Sequence, residues 1–365
     1  MRITLDATPL LGPRTGVGRY TEHLIAALPA ALRRRGIEPQ VRVSTWTARG
    51  GRLTDLPDDV TQVGPRVPAR LLREAWRRVS FPPIEALVGT TEVFHGTNFV
   101  SPPTRHAREV VTIHDLTYEL LSGTVSSASL MYRELVPKAL KRGALVVTPT
   151  HAIAAAVRAH YGLPAERVHV TPLGVDATWF AAAGSTPTWL SRRALPHDYF
   201  VFVGALDPRK NLPRLLAAHQ ELRAADSGAP DLVLAGPAGR ETRLAEQPGV
   251  HVTGWLEDDE LRSLVAGSRA LVLPSIDEGF GLPVLEALAT GRPVVISDLP
   301  VLREVTGSFG IAAPPTDVAA LAGAMAQALT APDDETARTA RRDWAGRFTW
   351  EACADSTIDA YLAPR

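Results

Sequence analysis

Short apolar segments alternate with amphipathic stretches along almost the whole chain. Strand-like runs include RITLDA near the N-terminus, EVVTIHD and YFVFVGAL further on, and PVVISD late in the sequence. Between such runs lie segments whose apolar residues recur three and four positions apart, for example TEHLIAALPAALRRRG and LPRLLAAHQELRAA. This alternation predicts parallel β-sheets covered by helices on both faces, which is an α/β fold.

The alternation breaks once, over ATWFAAAGSTPTWLSRRALPH at residues 177–197, which has no clear period. A chain of 365 residues is also too long for one comfortable core. We therefore expect two domains, one over residues 1–176 and one over residues 177–349, with a final helix at about 350–365.

Charge and cysteine content exclude several classes of function. The formal net charge is zero, so no global field attracts nucleic acid. The single cysteine, Cys353, rules out an internal disulfide and fits a reducing compartment. No stretch resembles a secretion signal or an uncharged apolar span of about 18 residues. We expect a cytoplasmic protein that binds no nucleic acid.

The stretch EGFGLPVLEA places a glutamate on each side of a glycine-rich turn that opens into a helix. Pro283 suits the first helical turn, and Gly279 and Gly281 allow the backbone to approach a ligand. The amides at the helix start favour a phosphate, whereas Glu278 and Glu286 suit sugar and ribose hydroxyls. The structural alternative is that Glu286 caps its helix and Glu278 is a solvated loop charge.

A second stretch, FVGALDPRKNLPRLLAAH, follows a strand that ends at Gly204. Arg209 and Lys210 precede a helix that we expect Asn211 to cap. Two cations are unfavourable at the positive end of a helix dipole unless an anion binds there. The chain has only three lysines, so Lys210 is conspicuous in the C-terminal half. A clamp on a diphosphate is the functional interpretation, and a solvated basic loop is the alternative.

These residues support a resemblance to a known family. PSIDEGFGLPVLEALATGRPVVIS, with two glutamates separated by seven residues, resembles the signature of retaining nucleotide-sugar glycosyltransferases of family 4, which have the GT-B fold. The resemblance implies two Rossmann-like parallel-sheet domains facing each other across a cleft. The acceptor would bind in the first domain and the nucleotide sugar in the second, with the final helix packing back onto the first domain.

The resemblance also implies roles for residues of the second domain. Arg209 and Lys210 would neutralise the departing diphosphate, Glu278 would hold the sugar at the catalytic centre, and Glu286 would bind ribose. The remaining donor contacts implied there are backbone groups or glycines: Gly204, Phe280, Gly281 and Leu282.

The first domain carries three shorter candidate stretches. We expect Gly16, Val17 and Gly18 to form a turn before a helix that starts near Arg19. The family has a similar glycine loop that approaches the donor phosphates and the acceptor. The alternative is a plain turn without a ligand. His114 and Asp115 match an HD pair of the family whose histidine reaches the donor sugar and the reaction centre, which makes His114 a candidate catalytic residue and Asp115 an acceptor-side candidate. VFHGTNF resembles an HxxN stretch of mannosyltransferase-like members, which makes His95 and Asn98 candidate acceptor contacts. A structural role is the alternative for both histidines.

The segment RVPARLLREAWRRVSFPP predicts an amphipathic helix at residues 66–83. Its apolar arc contains Val67, Leu71, Leu72, Ala75, Trp76 and Val79, and the opposite arc contains Arg66, Arg70, Arg73 and Arg77. Packing on its own domain is one interpretation. The other is that residues 66–81 contact anionic lipid, as in family members that act on lipid-linked acceptors.

No Asp-x-Asp pair occurs in the sequence, so we expect neither a metal site nor a cofactor. The predicted function is retaining, metal-independent transfer of a hexose, from GDP-mannose first and a UDP-hexose next, to a saccharide, lipid-linked or natural-product acceptor in polysaccharide biosynthesis. The alternatives are a nucleotide-sugar epimerase of the same fold and a non-catalytic nucleotide-sugar-binding protein.

Overall fold

The computed structural model describes residues 1–12, 14–47, 52–120, 127–237 and 247–364. The chain divides into two compact units. The first comprises Met1–Gly174 together with Thr349–Arg365, and the second comprises Val175–Phe348. The sequence placed these boundaries after residues 176 and 349.

The first unit is built on a parallel sheet with strand order β3-β2-β1-β4-β5-β6-β7. Its strands are mostly buried apolar runs, which is the pattern expected when helices cover both faces. The strands are β1 (Arg2–Asp6), β2 (Gln40–Ser44), β3 (Val60–Gln62), β4 (Val93–Gly96), β5 (Arg108–Thr112), β6 (Leu145–Thr148) and β7 (Val168–Val170).

Helices of the first unit follow its strands, and a last helix returns from the C-terminus. They are α1 (Gly16–Arg34), α2 (Ala69–Val79), α3 (Glu85–Val88), α4 (Thr117–Leu120), α5 (Ser127–Leu130), α6 (Tyr132–Lys141), α7 (His151–Tyr161) and α15 (Trp350–Leu362). Helix α15 packs against α1, where the His23 ring stacks on Trp350 with centroids 4.6 Å apart and Arg34 Nη2 lies 2.8 Å from Asp355 Oδ2.

The second unit repeats the architecture with strand order β10-β9-β8-β11-β12-β13, again parallel throughout. Its strands are β8 (Tyr199–Val203), β9 (Asp231–Ala235), β10 (Val250–Gly254), β11 (Leu271–Leu273), β12 (Val294–Ser297) and β13 (Gly310–Ala313). Its helices are α8 (Pro187–Arg192), α9 (Leu212–Ala225), α10 (Asp258–Gly267), α11 (Leu282–Ala289), α12 (Pro300–Thr306), α13 (Val318–Thr330) and α14 (Glu335–Ala345).

Each sheet has one point where the strand order reverses. In the first unit it lies between β1 and β4, and in the second between β8 and β11. The connections after the two strands leave to opposite faces at such a point, so a crevice opens beyond their carboxyl ends. In the second unit, this places the loop with Arg209 and Lys210 next to the loop with Glu278.

Within the described residues, no helix combines the length and the apolar character that crossing a membrane requires. The same part of the chain contains no group of three or more His, Cys, Asp and Glu side chains suited to a metal ion.

Candidate functional site

The loop after β8 starts with a close approach of two backbones. Gly204 has a φ of +153°, and Gly236, at the end of the neighbouring strand β9, has a φ of +148°. A Cβ atom added to Gly236 would lie 2.1 Å from the carbonyl oxygen of Gly204, so no side chain fits there. Glycines at both strand ends therefore leave the backbone bare at the carboxyl edge of the sheet.

The two cations of this loop point towards the loop after β11. Lys210 Nζ lies 2.6 Å from Glu278 Oε1, and Arg209 Nη1 lies 3.3 Å from Glu278 Oε2. Arg209 Nη1 also donates to the carbonyl of Asp277 at 2.7 Å, and the amide of Ile276 donates to the carbonyl of Arg209 at 2.9 Å. The structure thus joins residues that are 68 positions apart in the sequence into one charge cluster.

Glu278 is the centre of this cluster and is only 5% exposed. Besides the two cations, it accepts a hydrogen bond from the Ser275 hydroxyl at 2.6 Å. Burial alone would raise the pKa of the Glu278 carboxyl, but Lys210 and Arg209 outweigh it and lower the pKa to about 2. Glu278 is therefore an ionised, weakly basic carboxylate that accepts hydrogen bonds and cannot act as a general acid near neutral pH.

Because of this depressed pKa, we expect the second unit to lose stability at acid pH. A fall in pKa from 4.5 to about 2 on folding corresponds to about 3 kcal/mol. That contribution is complete above the unfolded pKa and is lost as the pH falls from about 4.5 towards 2. We expect the free energy of unfolding in urea to fall less steeply between pH 6 and pH 3 for Glu278→Gln than for the unmodified chain. Parallel curves for the two proteins would contradict the depressed pKa of Glu278.

Helix α11 begins beside this cluster without a side-chain cap. Gly281 occupies the N-cap position with a φ of +92°, and Pro283 lies in the first turn. A helix start leaves backbone amides without intrahelical acceptors, and the dipole favours an anion there. Phe280 and Leu282 are buried on either side, with the Phe280 ring 6.0 Å from that of Phe348. The backbone, rather than these side chains, is what the helix start offers to a ligand.

Glu286 lies one turn inside α11 and is also 5% exposed. The residues around it in the helix are buried apolar side chains. Burial of a carboxylate in such surroundings is costly unless polar groups contact it, so Glu286 is not the solvated surface charge that an ordinary helix would place there.

In the first unit, the predicted glycine turn is wrong. Helix α1 begins at Gly16, three residues earlier than expected, so Val17 and Gly18 lie in its first turn. A Cβ atom on Gly18 would lie 3.2 Å from the carbonyl oxygen of Pro9, in the segment after β1. Gly18 therefore permits close packing of helix on backbone, while Gly16 is exposed at the helix start.

His114 follows β5 and is largely buried. Its Nε2 donates to the carbonyl of Thr97 at 2.8 Å, and its ring meets those of Tyr20 and Phe99 edge-on. Burial lowers the pKa of His114, which keeps the imidazole neutral. Because Thr97 O can only accept, the proton sits on Nε2 and Nδ1 is left as a hydrogen-bond acceptor.

His95 does not occupy the predicted acceptor position. It lies within β4, is 0% exposed, and its Nδ1 and Nε2 are each 2.7 Å from a hydroxyl, of Tyr361 and of Thr112. Burial lowers its pKa to about 3. A histidine enclosed in this way cannot reach an acceptor, so its role is to join the sheet to α15.

Asn98 and Asp115 are both half-buried at the carboxyl edge of the first sheet. Asp115 Oδ1 accepts from the amide of Thr117 at 3.0 Å, which fixes the start of α4. Asn98 follows β4 and Asp115 follows β5, so both lie beyond the carboxyl ends of strands, and their role as acceptor contacts stays a prediction.

The amphipathic helix predicted at residues 66–83 is shorter in the structure, and its buried face differs from the prediction. Helix α2 spans Ala69–Val79, and of the predicted apolar arc Leu72 and Trp76 are buried while Leu71 and Val79 are exposed. On the predicted basic arc, Arg77 pairs with Glu74 at 2.7 Å. The period was right, but the buried face is narrower than the apolar arc.

The sequence prediction missed one site residue and gave another the wrong role. Ser275 donates a hydrogen bond to Glu278, and its only signal was a small polar residue two positions after the buried strand β11. Asn211 was expected to cap α9, yet it makes no side-chain cap. Its amide instead reaches two other loops, described below.

Two family models match the chain: "Glycosyltransferase Family 4" over residues 14–179 and "Glycosyl transferases group 1" over residues 197–331. O-antigen chain mannosyltransferase B from Escherichia coli is 28% identical over 99% of each chain. Among solved structures, sucrose-phosphate synthase from Thermosynechococcus elongatus superposes with a TM-score of 0.74 at 20% identity over 98% of both chains. Anabaena HepE, solved with UDP and glucose, gives a TM-score of 0.66 at 18% identity over the whole of both chains.

The structural likenesses establish the GT-B fold, and the family models and the mannosyltransferase relative establish the class of enzyme. The chain carries a family 4 glycosyltransferase domain over residues 14–179 and a group 1 glycosyltransferase domain over residues 197–331, and it is a glycosyltransferase similar to the O-antigen mannosyltransferases.

Proposed function

We propose that this glycosyltransferase transfers a hexose with retention, and without a metal ion, from a nucleotide diphosphate sugar to a saccharide or lipid-linked acceptor in polysaccharide synthesis. The observation that carries the proposal is the cluster of Arg209, Lys210 and Glu278 beside the uncapped start of α11. Cations and amides gathered at one point suit a diphosphate, and the adjacent carboxylates suit hydroxyl groups.

In this proposal the cluster stabilises the charge that develops on the diphosphate as the anomeric bond breaks. Lys210 and Arg209 are held in place by Glu278 and the loop carbonyls before any ligand binds. Positive groups fixed in advance need no reorganisation during the reaction, which is the usual origin of electrostatic catalysis. Glu278 holds the sugar through its remaining acceptor capacity, and Glu286 binds the ribose hydroxyls.

The pKa of about 2 bears on the route to retention. A carboxylate of such low basicity, with both oxygens bonded to cations, is a poor covalent nucleophile. We therefore favour a front-face path. The acceptor oxygen bonds to the anomeric carbon, the bond from that carbon to the diphosphate oxygen breaks, and the departing oxygen takes the acceptor's proton.

GDP-mannose is the donor we favour, because the full-length relative is named a mannosyltransferase; a UDP-hexose is next, because HepE was solved with UDP. A thermal-shift panel of GDP, UDP and ADP tests which base the donor carries, since a ligand at 100 times its Kd adds about 2.7 kcal/mol of stability.

Product analysis tests which reaction the enzyme catalyses. We expect a glycoside whose formation requires an acceptor, whereas a new sugar or epimer from donor alone would favour the epimerase alternative. Binding without any turnover would favour the non-catalytic one.

As a separate part of the proposal, we infer that the first unit contacts a membrane from its cytoplasmic side. Leu71, Val79 and Phe81 are each more than half exposed, and Arg66, Arg70 and Arg78 are exposed close to them in sequence. Exposed apolar side chains with basic neighbours suit an anionic lipid surface.

Replacing Leu71, Val79 and Phe81 together with serine should lower co-sedimentation with phosphatidylglycerol vesicles at least tenfold, because the apolar groups that would enter the bilayer are gone. The matched control is Leu362→Ser, which removes a similarly exposed leucine from α15. Equal binding by both variants would refute the contact.

A further inference from the structure

Asn211 has an uncommon backbone conformation at a buried position. Its φ and ψ are 60° and 33°, in the left-handed region, and the residue is 2% exposed. Asparagine tolerates this region better than other residues that carry a side chain. It follows directly on Lys210, so the chain reverses immediately after the two cations and before α9 begins at Leu212.

The side-chain amide of Asn211 ties three loops together. Nδ2 donates to the carbonyl of Pro274 at 2.9 Å and to the carbonyl of Pro315 at 2.7 Å. Oδ1 accepts from Arg214 Nη1 at 2.8 Å. Both N–H groups are therefore used on carbonyls that belong to the loops after β11 and β13, while Asn211 itself belongs to the loop after β8.

One of these anchors lies close to the charge cluster. The ring of proline fixes φ, which limits the backbone freedom of both acceptor residues, Pro274 and Pro315. Pro274 comes directly before Ser275, which holds Glu278. The bond from Asn211 to Pro274 thus fixes the distance between the loop that carries Arg209 and Lys210 and the loop that carries Glu278. No other side chain type supplies two donors, one acceptor and tolerance of a left-handed backbone at this size.

We propose that Asn211 is a positioning residue that holds Lys210 and Arg209 in the geometry that binds the donor diphosphate. It touches no substrate itself and acts through the loop after β8. The inference rests on the proposed function, because the hydrogen bonds of Asn211 have this role only if Arg209 and Lys210 bind a diphosphate. Small displacements of charged groups matter here, since a shift of about 1 Å can cost on the order of 10²-fold in rate.

Two variants and one control test this role in the full chain. Asn211→Gly keeps the left-handed backbone and removes the side-chain amide. Asn211→Asp keeps the shape of the side chain but replaces the donating NH₂ group with a carboxylate oxygen, which faces the two proline carbonyls and cannot donate to them. The control is His219→Ala. His219 is a buried residue of α9 whose Nε2 lies 2.9 Å from the carbonyl of Pro230, at the opposite edge of the same sheet. It removes a comparable buried bond to a proline carbonyl away from the charges.

The measurement is calorimetric binding of GDP and UDP, each compared with guanosine and uridine, at a temperature where circular dichroism shows every variant folded. We expect Asn211→Gly and Asn211→Asp to weaken diphosphate binding about tenfold while nucleoside binding changes less than twofold. His219→Ala should lower the melting temperature and leave both affinities unchanged.

A purely structural role would lower the melting temperature of all three variants without changing the ratio of diphosphate to nucleoside affinity, and this result would overturn the inference. If the Asn211 variants weaken the binding of nucleosides and of nucleoside diphosphates equally, the inference is likewise wrong, because Asn211 then does not position the cations. If the unmodified chain binds neither GDP nor UDP, the proposed function fails, and the inference fails with it.

Discussion

Replacing Lys210 with alanine is expected to lower the turnover number of sugar transfer by about 10²–10³-fold, the usual cost of losing one fixed group that stabilises transition-state charge. Lys210 Nζ lies 2.6 Å from the buried carboxylate of Glu278 and is placed before ligand binds. Because charge grows on the diphosphate only as the anomeric bond breaks, the loss should appear mainly in kcat. Steady-state kinetics with GDP-mannose, measured as released GDP, supply the test.

Two companion variants separate catalysis from stability. Lys141→Ala removes the same charge from an exposed position on α6 and should leave kcat unchanged. Lys210→Arg keeps the charge with a different shape and should retain part of the activity. Since Lys210→Ala also removes a counter-ion from Glu278, its melting temperature must be recorded, and rates compared below it. A kcat close to that of the unmodified chain would show that Lys210 has no catalytic role.

Replacing Gly281 with alanine is expected to destabilise the second unit by about 2–3 kcal/mol and to disturb the start of α11. A residue with a side chain loses about 1–2 kcal/mol in the left-handed region, which Gly281 occupies with a φ of +92°. The added Cβ would also lie 2.6 Å from Leu302 Cδ2, so that side chain or the helix start must move. Differential scanning calorimetry should show a fall of about 4–12 °C in the melting temperature.

Gly36→Ala is the matched control for the backbone cost. Gly36 has a φ of +71° after α1, and an added Cβ there meets no atom within 4 Å. It should show the left-handed cost alone and leave GDP affinity unchanged, whereas Gly281→Ala should weaken GDP binding as well. Equal shifts in melting temperature with GDP affinity intact in both variants would mean that the amides of α11 do not contact the ligand.

Much of the fold follows from local pattern. Runs such as YFVFV and VVIS are apolar throughout because strands of a parallel sheet are covered on both faces, and both form strands in the structure. The pairing of Glu278 with Lys210 was beyond such reasoning, because each stretch was read separately and the ion pair joins loops from two strands. The sequence located both halves of the cluster and not the bond between them.

The incorrect predictions have definite physical reasons. Glycine is permitted in a first helical turn, so the GVG stretch could not place the start of α1. His95 follows the spacing of a ligand-contacting residue, yet spacing does not show whether a histidine lies within a strand or beyond its end. Asn211 has the residue type of a helix cap, but its left-handed backbone turns the side chain towards other loops, and only coordinates reveal this.

The role of the cations can be tested without knowing the acceptor. GDP and UDP are titrated calorimetrically into the unmodified chain and into Lys210→Ala, with and without EDTA. The comparison shows whether the affinity for the diphosphate depends on Lys210 or on a divalent ion. We expect the unmodified chain to bind one of the two nucleotides equally well in EDTA, and Lys210→Ala to bind it at least tenfold more weakly. Binding that EDTA abolishes, or that survives the loss of Lys210 undiminished, would contradict a diphosphate site built from Arg209, Lys210 and the start of α11.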